Sequence, residues 1–139
     1  MVAKLTELRP KVGESEKITL NMGHVDLGQV DLLVQEGFYS NRSDFIRTAI
    51  RSLLDRHDDV VRNSVARQQL DLGLREYSRH DLEAVRAAGD ALHIQVLGLA
   101  VIAADVSAEL ARDTIASIRV LGALQAPAAV KAALRDRIR

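Results

Sequence analysis

Lys17, Thr19 and Asn21 stand two residues apart, each carrying hydrogen-bonding groups, with Ile18, Leu20 and Met22 between them. In an extended chain successive side chains point to opposite faces, so this alternation makes one face polar and the other apolar. A lone strand leaves its backbone donors and acceptors unpaired. The segment therefore calls for a second copy of itself, and two such strands side by side form a ribbon with one oily face. A ribbon of that width, polar on its outer face, fits the major groove of DNA. The chemistry on offer is hydrogen bonding by a dimer, not bond making.

Two helices follow. Leu27, Val30, Leu33 and Val34 recur at helical spacing, which predicts a first helix over Asp26 to Glu36. Gly37 stops it, since glycine tolerates the left-handed conformation that follows a helix. Phe38 and Tyr39 are expected to pack back over the core. Ser40 or Asn41 can cap a second helix, in which Phe45, Ile46, Ala49, Ile50, Leu53 and Leu54 form a wide apolar stripe. Arg42, Arg47, Arg51 and Arg56 lie largely outside that stripe. Arg47 is suited to pair with Asp44 or with a carboxylate of a partner chain. The helix is expected to run on through Asp58 to Arg62 as a connector.

The order strand, helix, Gly37-Phe38-Tyr39-Ser40-Asn41-Arg42-Ser43-Asp44-Phe45-Ile46-Arg47, helix resembles the ribbon-helix-helix repressors of the CopG/Arc/MetJ type, bacterial regulators. The resemblance covers residues 16–57. It implies an intertwined dimer whose paired strands enter the major groove, with a core of Ile18, Leu20, Met22, Leu33, Ile46 and Ile50. It also implies that Lys17, Thr19 and Asn21 contact bases, while Ser40, Asn41, Arg42 and Ser43 hold a backbone phosphate. The physical chemistry agrees. Lysine donates to guanine O6 and N7, threonine meets a thymine methyl or donates its hydroxyl, and asparagine bridges adenine N6 and N7. A helix N-terminus presents unpaired N–H groups and a partial positive charge, which favour a phosphate.

Charge is balanced. The whole chain carries 19 Lys and Arg against 19 Asp and Glu. Residues 1–57 carry eight of each, so DNA affinity must come from segregation of charge onto one face. There is no cysteine, which excludes disulfides and thiolate metal sites and suits a reducing compartment. No apolar run is long enough to span a bilayer, and the first seven residues lack the apolar core of a secretion signal. The expectation is a cytoplasmic, nucleoid-associated protein. His24, His57, His80 and His93 are widely spaced and form no i, i+4 pair, so no metal is expected, and no cofactor.

The second half is different in kind. Leu70–Leu74, Ile94–Leu99 and Ile118–Ala123 resemble one another, and their glycines Gly73, Gly98 and Gly122 fall 25 and 24 residues apart. Helix-like runs follow each: Ser78 to Val85 with a Ser-x-x-Asp cap, Val106 to Ile115 capped by Asp105 or Ser107, and Pro127 to Ile138. Val85, Leu110 and Leu134 each lie twelve residues after a glycine. The pattern predicts a βα repeat with parallel strands, or else a small α+β domain in which two similar strands pair.

The chain is therefore α+β. Its expected parts are a flexible arm over 1–15, a ribbon-helix-helix unit over 16–57, a helical connector over 58–69 and a βα-repeat domain over 70–139. Nothing converges into a catalytic set, which argues against an enzyme. The leading reading is a sequence-specific regulator that binds double-stranded DNA as a homodimer, extended through the C-terminal half to a tetramer or higher assembly. That half is alternatively a docking site for a partner protein or a ligand sensor. Two other readings stand beside this one: the antitoxin of a toxin–antitoxin pair, and an assembly or scaffold protein that ignores DNA.

Overall fold

The computed structural model describes residues 15–139. The expected arm therefore lies, Ser15 aside, outside the described residues. Two compact units part between Val61 and Arg62.

In the first unit, α1 spans His24–Gln35 and α2 spans Arg42–Arg56. Asp26 sits in the first turn of α1, where its charge complements the helix dipole. The helix ends where Gly37 takes φ +88. The Gly37 amide donates to the Val34 carbonyl at 3.1 Å and the Phe38 amide to that of Leu33 at 3.0 Å, a paired closure that needs the left-handed residue between them. Phe38 does not turn inward. It is 72% exposed, because this closure points the chain away from the α1–α2 contact, and only Tyr39 folds back, edge-on to Phe45 at 5.0 Å. α2 stops at Arg56 rather than running on: His57 leaves helical geometry (φ −102, ψ 12) and its Nδ1 lies 3.0 Å from the Leu53 carbonyl. A separate helix, α3 (Asp58–Gln68), starts on Asp58 and Asp59 and ends at Gln69, which takes a left-handed φ of 54 without being glycine.

The second unit alternates strand and helix: β1 (Asp71–Tyr77), α4 (Arg79–Ala87), β2 (Leu92–Ile102), α5 (Ala108–Thr114), β3 (Ile115–Gln125) and α6 (Ala128–Ala133), then a 3-10 turn over Arg135–Arg137. The three strands are parallel and lie in the order β1-β2-β3. Gly73 pairs with Gly98 and Gly98 with Gly122, so the glycine interval in the sequence reappears as one column across the sheet.

Alternation sorts β2. Ile94, Val96, Ala100 and Ile102 are buried beneath Leu82 of α4, Leu110 and Ala111 of α5, and Val130 of α6. Val106, Ile115, Ile118 and Leu134 complete that core. Leu110 and Leu134, each twelve residues after a glycine, are buried, but in the first unit of the repeat Leu82 is the fully buried residue and Val85 is only half-buried. Ser78 begins α4 with a reciprocal cap: its hydroxyl accepts from the Asp81 amide and its own amide donates to the Asp81 carboxylate. α5 is shorter than the sequence pattern, because Val106 drops into the core ahead of the helix and Ser107 caps it. α6 stops at Ala133, since Leu134 leaves helical geometry (φ −102, ψ 10). The Arg137 guanidinium donates to the carbonyls of Arg112 and Ile115 at 2.6 and 2.7 Å, satisfying acceptors at the α5–β3 junction that a helix end leaves unpaired.

Candidate nucleic-acid interface

The first unit has almost no core of its own. Between residues 15 and 61 only Val30 is buried among the described residues. Met22, Leu27, Leu33, Val34, Phe45 and Ile46 are half-buried, and Ile50, Leu53 and Leu54 on the apolar stripe of α2 are exposed. Residues 16–23 form no ladder among the described residues, so the expected strand is not seen there. Its apolar side stands in solvent, with Ile18 83% and Leu20 65% exposed, and Lys17, Thr19 and Asn21 are exposed as well. Of the expected dimer core, then, Met22, Leu33 and Ile46 are half-buried, while Ile18, Leu20 and Ile50 are exposed. Removing apolar area from water stabilises by about 25 cal/mol per Å². Contiguous exposed apolar surface is the kind that interaction sites present.

The start of α2 is built from four consecutive polar residues. Asn41 is extended (φ −165, ψ 178), and its side chain accepts from the Asp44 amide at 2.8 Å. The Asp44 carboxylate reaches back to accept from the Ser40 amide at 2.9 Å. Asn-x-x-Asp is a spacing legible in the sequence, and of the two candidate caps there, Ser40 and Asn41, it is Asn41 that serves. The Asn41, Arg42 and Ser43 amides have no acceptor among the described residues, as befits the first turn of a helix. Three unpaired donors at the positive end of a helix dipole can receive an anion.

The Arg42 side chain is engaged elsewhere. Its Nε donates to Asp31 Oδ1 at 2.7 Å and its Nη2 to Asp31 Oδ2 at 2.8 Å, tying the start of α2 to the middle of α1. That hydrogen bonding holds the Asp31 carboxyl below its ordinary range and lifts the Arg42 guanidinium above its own. No periodicity in the sequence announces this pair, which spans a turn and eleven residues. Arg47, Arg51 and Arg56 are exposed on the same helix. Arg47 makes no ion pair with Asp44, whose carboxylate is taken up by the Ser40 amide. Among the described residues no group of histidines and carboxylates could hold a metal, and no helix is long and apolar enough to cross a membrane.

Comparison with known proteins follows this geometry. A family model described as the Ribbon-Helix-Helix transcriptional regulator family matches residues 13–131. Among curated proteins, the transcriptional regulator CdrS of the archaeon Halobacterium salinarum is 36% identical over 44 residues, which is 32% of this chain and 80% of that protein. An archaeal relative gives no support to the bacterial origin that the resemblance alone implied. No solved structure matches.

Proposed function

The chain belongs to the ribbon-helix-helix transcriptional regulator family, and on that premise we propose that it is a DNA-binding regulator that reads sequence as a homodimer. The segments 17–22 of two copies pair antiparallel, and Ile18, Leu20 and Met22 close over the apolar stripe of α2 together with Leu33, Ile46 and Ile50. Lys17, Thr19 and Asn21 then project from the opposite face of the ribbon toward base edges. The observation that carries the reading is the pair of bare residues Ile18 and Leu20, alternating with three exposed polar residues, on a unit with a single buried side chain among its described residues.

The phosphate contact centres on backbone amides. In the free chain the Ser40 amide is bonded to Asp44 and the Arg42 side chain to Asp31. What remains is the set of Asn41, Arg42 and Ser43 amides with the Ser43 hydroxyl. Arg42 then serves DNA binding by bracing the turn or, once released from Asp31, by direct contact.

The test is selection of bound duplexes from a random pool, followed by titration of the best sequence across salt concentrations. One preferred sequence, occupied by an even number of chains and losing affinity steeply with salt, supports the proposal. Recovery of no preferred sequence overturns it.

A further inference from the structure

The sheet of the second unit is unfinished on three sides. Parallel sheets bury both faces, because a strand hydrogen-bonded only to parallel neighbours is stable when water is kept from it. Here α4, α5 and α6 cover one face only, packing on the row that includes Ile94, Val96 and Ala100. The other face carries two apolar rows that run straight across the register: Leu72, Leu97 and Leu121, then Leu74, Leu99 and Ala123. Leu72 is 59%, Leu74 51% and Leu121 48% exposed. Both edges are open too. Among the described residues β1 pairs only with β2, and the outer edge of β3 is met at Ile118, by Ile138 and by the Arg139 amide at 2.8 Å.

The glycine column says what belongs at those edges. A Cβ on Gly98 would overlap the carbonyl oxygen of Gly73, and a Cβ on Gly122 would overlap that of Gly98. Each strand thus receives the glycine carbonyl of the strand before it, with φ of +138 and +123 at the two receiving residues. Gly73 holds the same conformation, φ +118, yet nothing lies within 4 Å of its Cβ position. It is a receiving site with no strand before it. The Gly122 carbonyl ends the column with no strand after it. The lengths agree as well: through β2, Asp71–Arg75 correspond to Val120–Leu124, a stretch of β3 beyond the Ile118–Ile138 bridge.

We propose that the C-terminal units of two chains close on each other, β1 of each pairing in parallel with β3 of the other, to form a six-stranded parallel barrel. A two-fold axis along the strands keeps every strand parallel and leaves no edge. The helices stay outside, and the rows of Leu72, Leu97 and Leu121 and of Leu74, Leu99 and Ala123 become the packed interior, as in barrels whose inward residues fill the lumen. The occupant is a second copy because β3 carries at this register the carbonyl of Gly122, the counterpart of those that Gly98 and Gly122 already receive from the strand before them. The inference rests on the dimer proposed above for proximity, not on DNA recognition.

The register sets Leu74 beside Ala123 of the other chain, and the sequence has no cysteine to interfere. The full-length double variant Leu74→Cys, Ala123→Cys, oxidised without DNA, is expected to run on a denaturing non-reducing gel as a covalent dimer and nothing larger. A ladder of longer covalent species means an open filament and overturns closure. A dimer formed by Leu74→Cys alone means antiparallel β1 edges and overturns it too, as does a double variant that stays uncrosslinked. Hydrogen exchange on the unaltered protein checks the result without a variant. The β1 amides that point away from β2 are expected to exchange at least a hundredfold more slowly than free-chain rates, and near-free rates overturn the barrel. Since neither experiment contains DNA, failure here leaves the base-reading proposal standing, and a failed selection leaves the barrel.

Discussion

Arg42 and Asp31 are joined by a two-pronged hydrogen bond, 2.7 and 2.8 Å, across the turn between α1 and α2. The planar fork of arginine matches a carboxylate and a phosphate alike, so Asp31 holds Arg42 in the geometry a phosphate would need. Arg42→Ala is expected to weaken binding to all sequences about equally and, if the guanidinium transfers to DNA, to reduce the salt slope by about one. Asp31→Asn separates the two roles. A guanidinium that transfers should bind DNA more tightly once released, whereas a brace should bind it less well. Fluorescence anisotropy at several salt concentrations reads both.

Asn21→Ala is expected to relax preference at one base position per half-site, with a discrimination loss of about 1–3 kcal/mol, and to leave salt dependence unchanged. Thr19→Val keeps the shape and a methyl for thymine while losing the hydroxyl. It should spare a thymine contact and harm a hydrogen-bonded one. Selection repeated with each variant shows which base moves. A uniform loss across all positions would place these side chains away from the bases.

How much of this was legible depends on whether the signal was local. Gly37 ends α1 with a positive φ because the closing bonds need it, and a glycine after a helical run announces that in the sequence. The intervals between Gly73, Gly98 and Gly122 carry the sheet register for the same reason: one conformation recurs in each strand. The alternation of Lys17 to Met22 is equally plain, but a strand also needs a neighbour to hydrogen-bond with, and none pairs with it among the described residues. Long-range choices left no trace. Nothing in the pattern tells that Phe38 stays in solvent, that Leu82 rather than Val85 is fully buried, or that Arg42 meets Asp31. Helix ends in the second unit were overextended because Val106 and Leu134 fit a helical stripe while serving the core from non-helical backbone.

Gly98→Ala and Gly122→Ala place a methyl group against a backbone carbonyl that cannot rotate away. A positive-φ penalty and overpacking together are expected to cost about 3 kcal/mol or more. Gly89→Ala is the control. Gly89 also has a positive φ, +69, but meets nothing within 4 Å, so conformation alone should cost about 1–2 kcal/mol. Chemical denaturation of the three variants ranks them. Equal losses would mean the column is not close-packed.

Three exposed carboxyls tie stability to acid. Hydrogen bonds hold each below its ordinary value: Arg42 on Asp31, the Ser78 backbone and then its hydroxyl on Asp81, and the Arg112 side chain on Asp136. A native value below the unfolded one, about 3.9 for aspartate, means that the unfolded chain binds more protons in this window, so stability rises with pH. The contribution is complete above the unfolded value and disappears as pH falls through the lowered native ones. Melting temperature is therefore expected to hold level from neutrality to about pH 5 and to fall below about pH 4. Tyr77 acts in the opposite sense. Burial, and then the nearby Asp71, raises its hydroxyl, so its contribution is whole below the unfolded value of about 10 and is lost as pH climbs through the native one. Asp81→Asn supplies the decisive comparison, because it removes the charged acceptor of the Ser78 amide while keeping the side-chain shape. It should lower the melting temperature at pH 7 and flatten the acid limb, converging on the unaltered protein once pH has fallen through the lowered native value of Asp81. Parallel curves for the two proteins across that range would show that the cap at Ser78 contributes nothing to the acid limb.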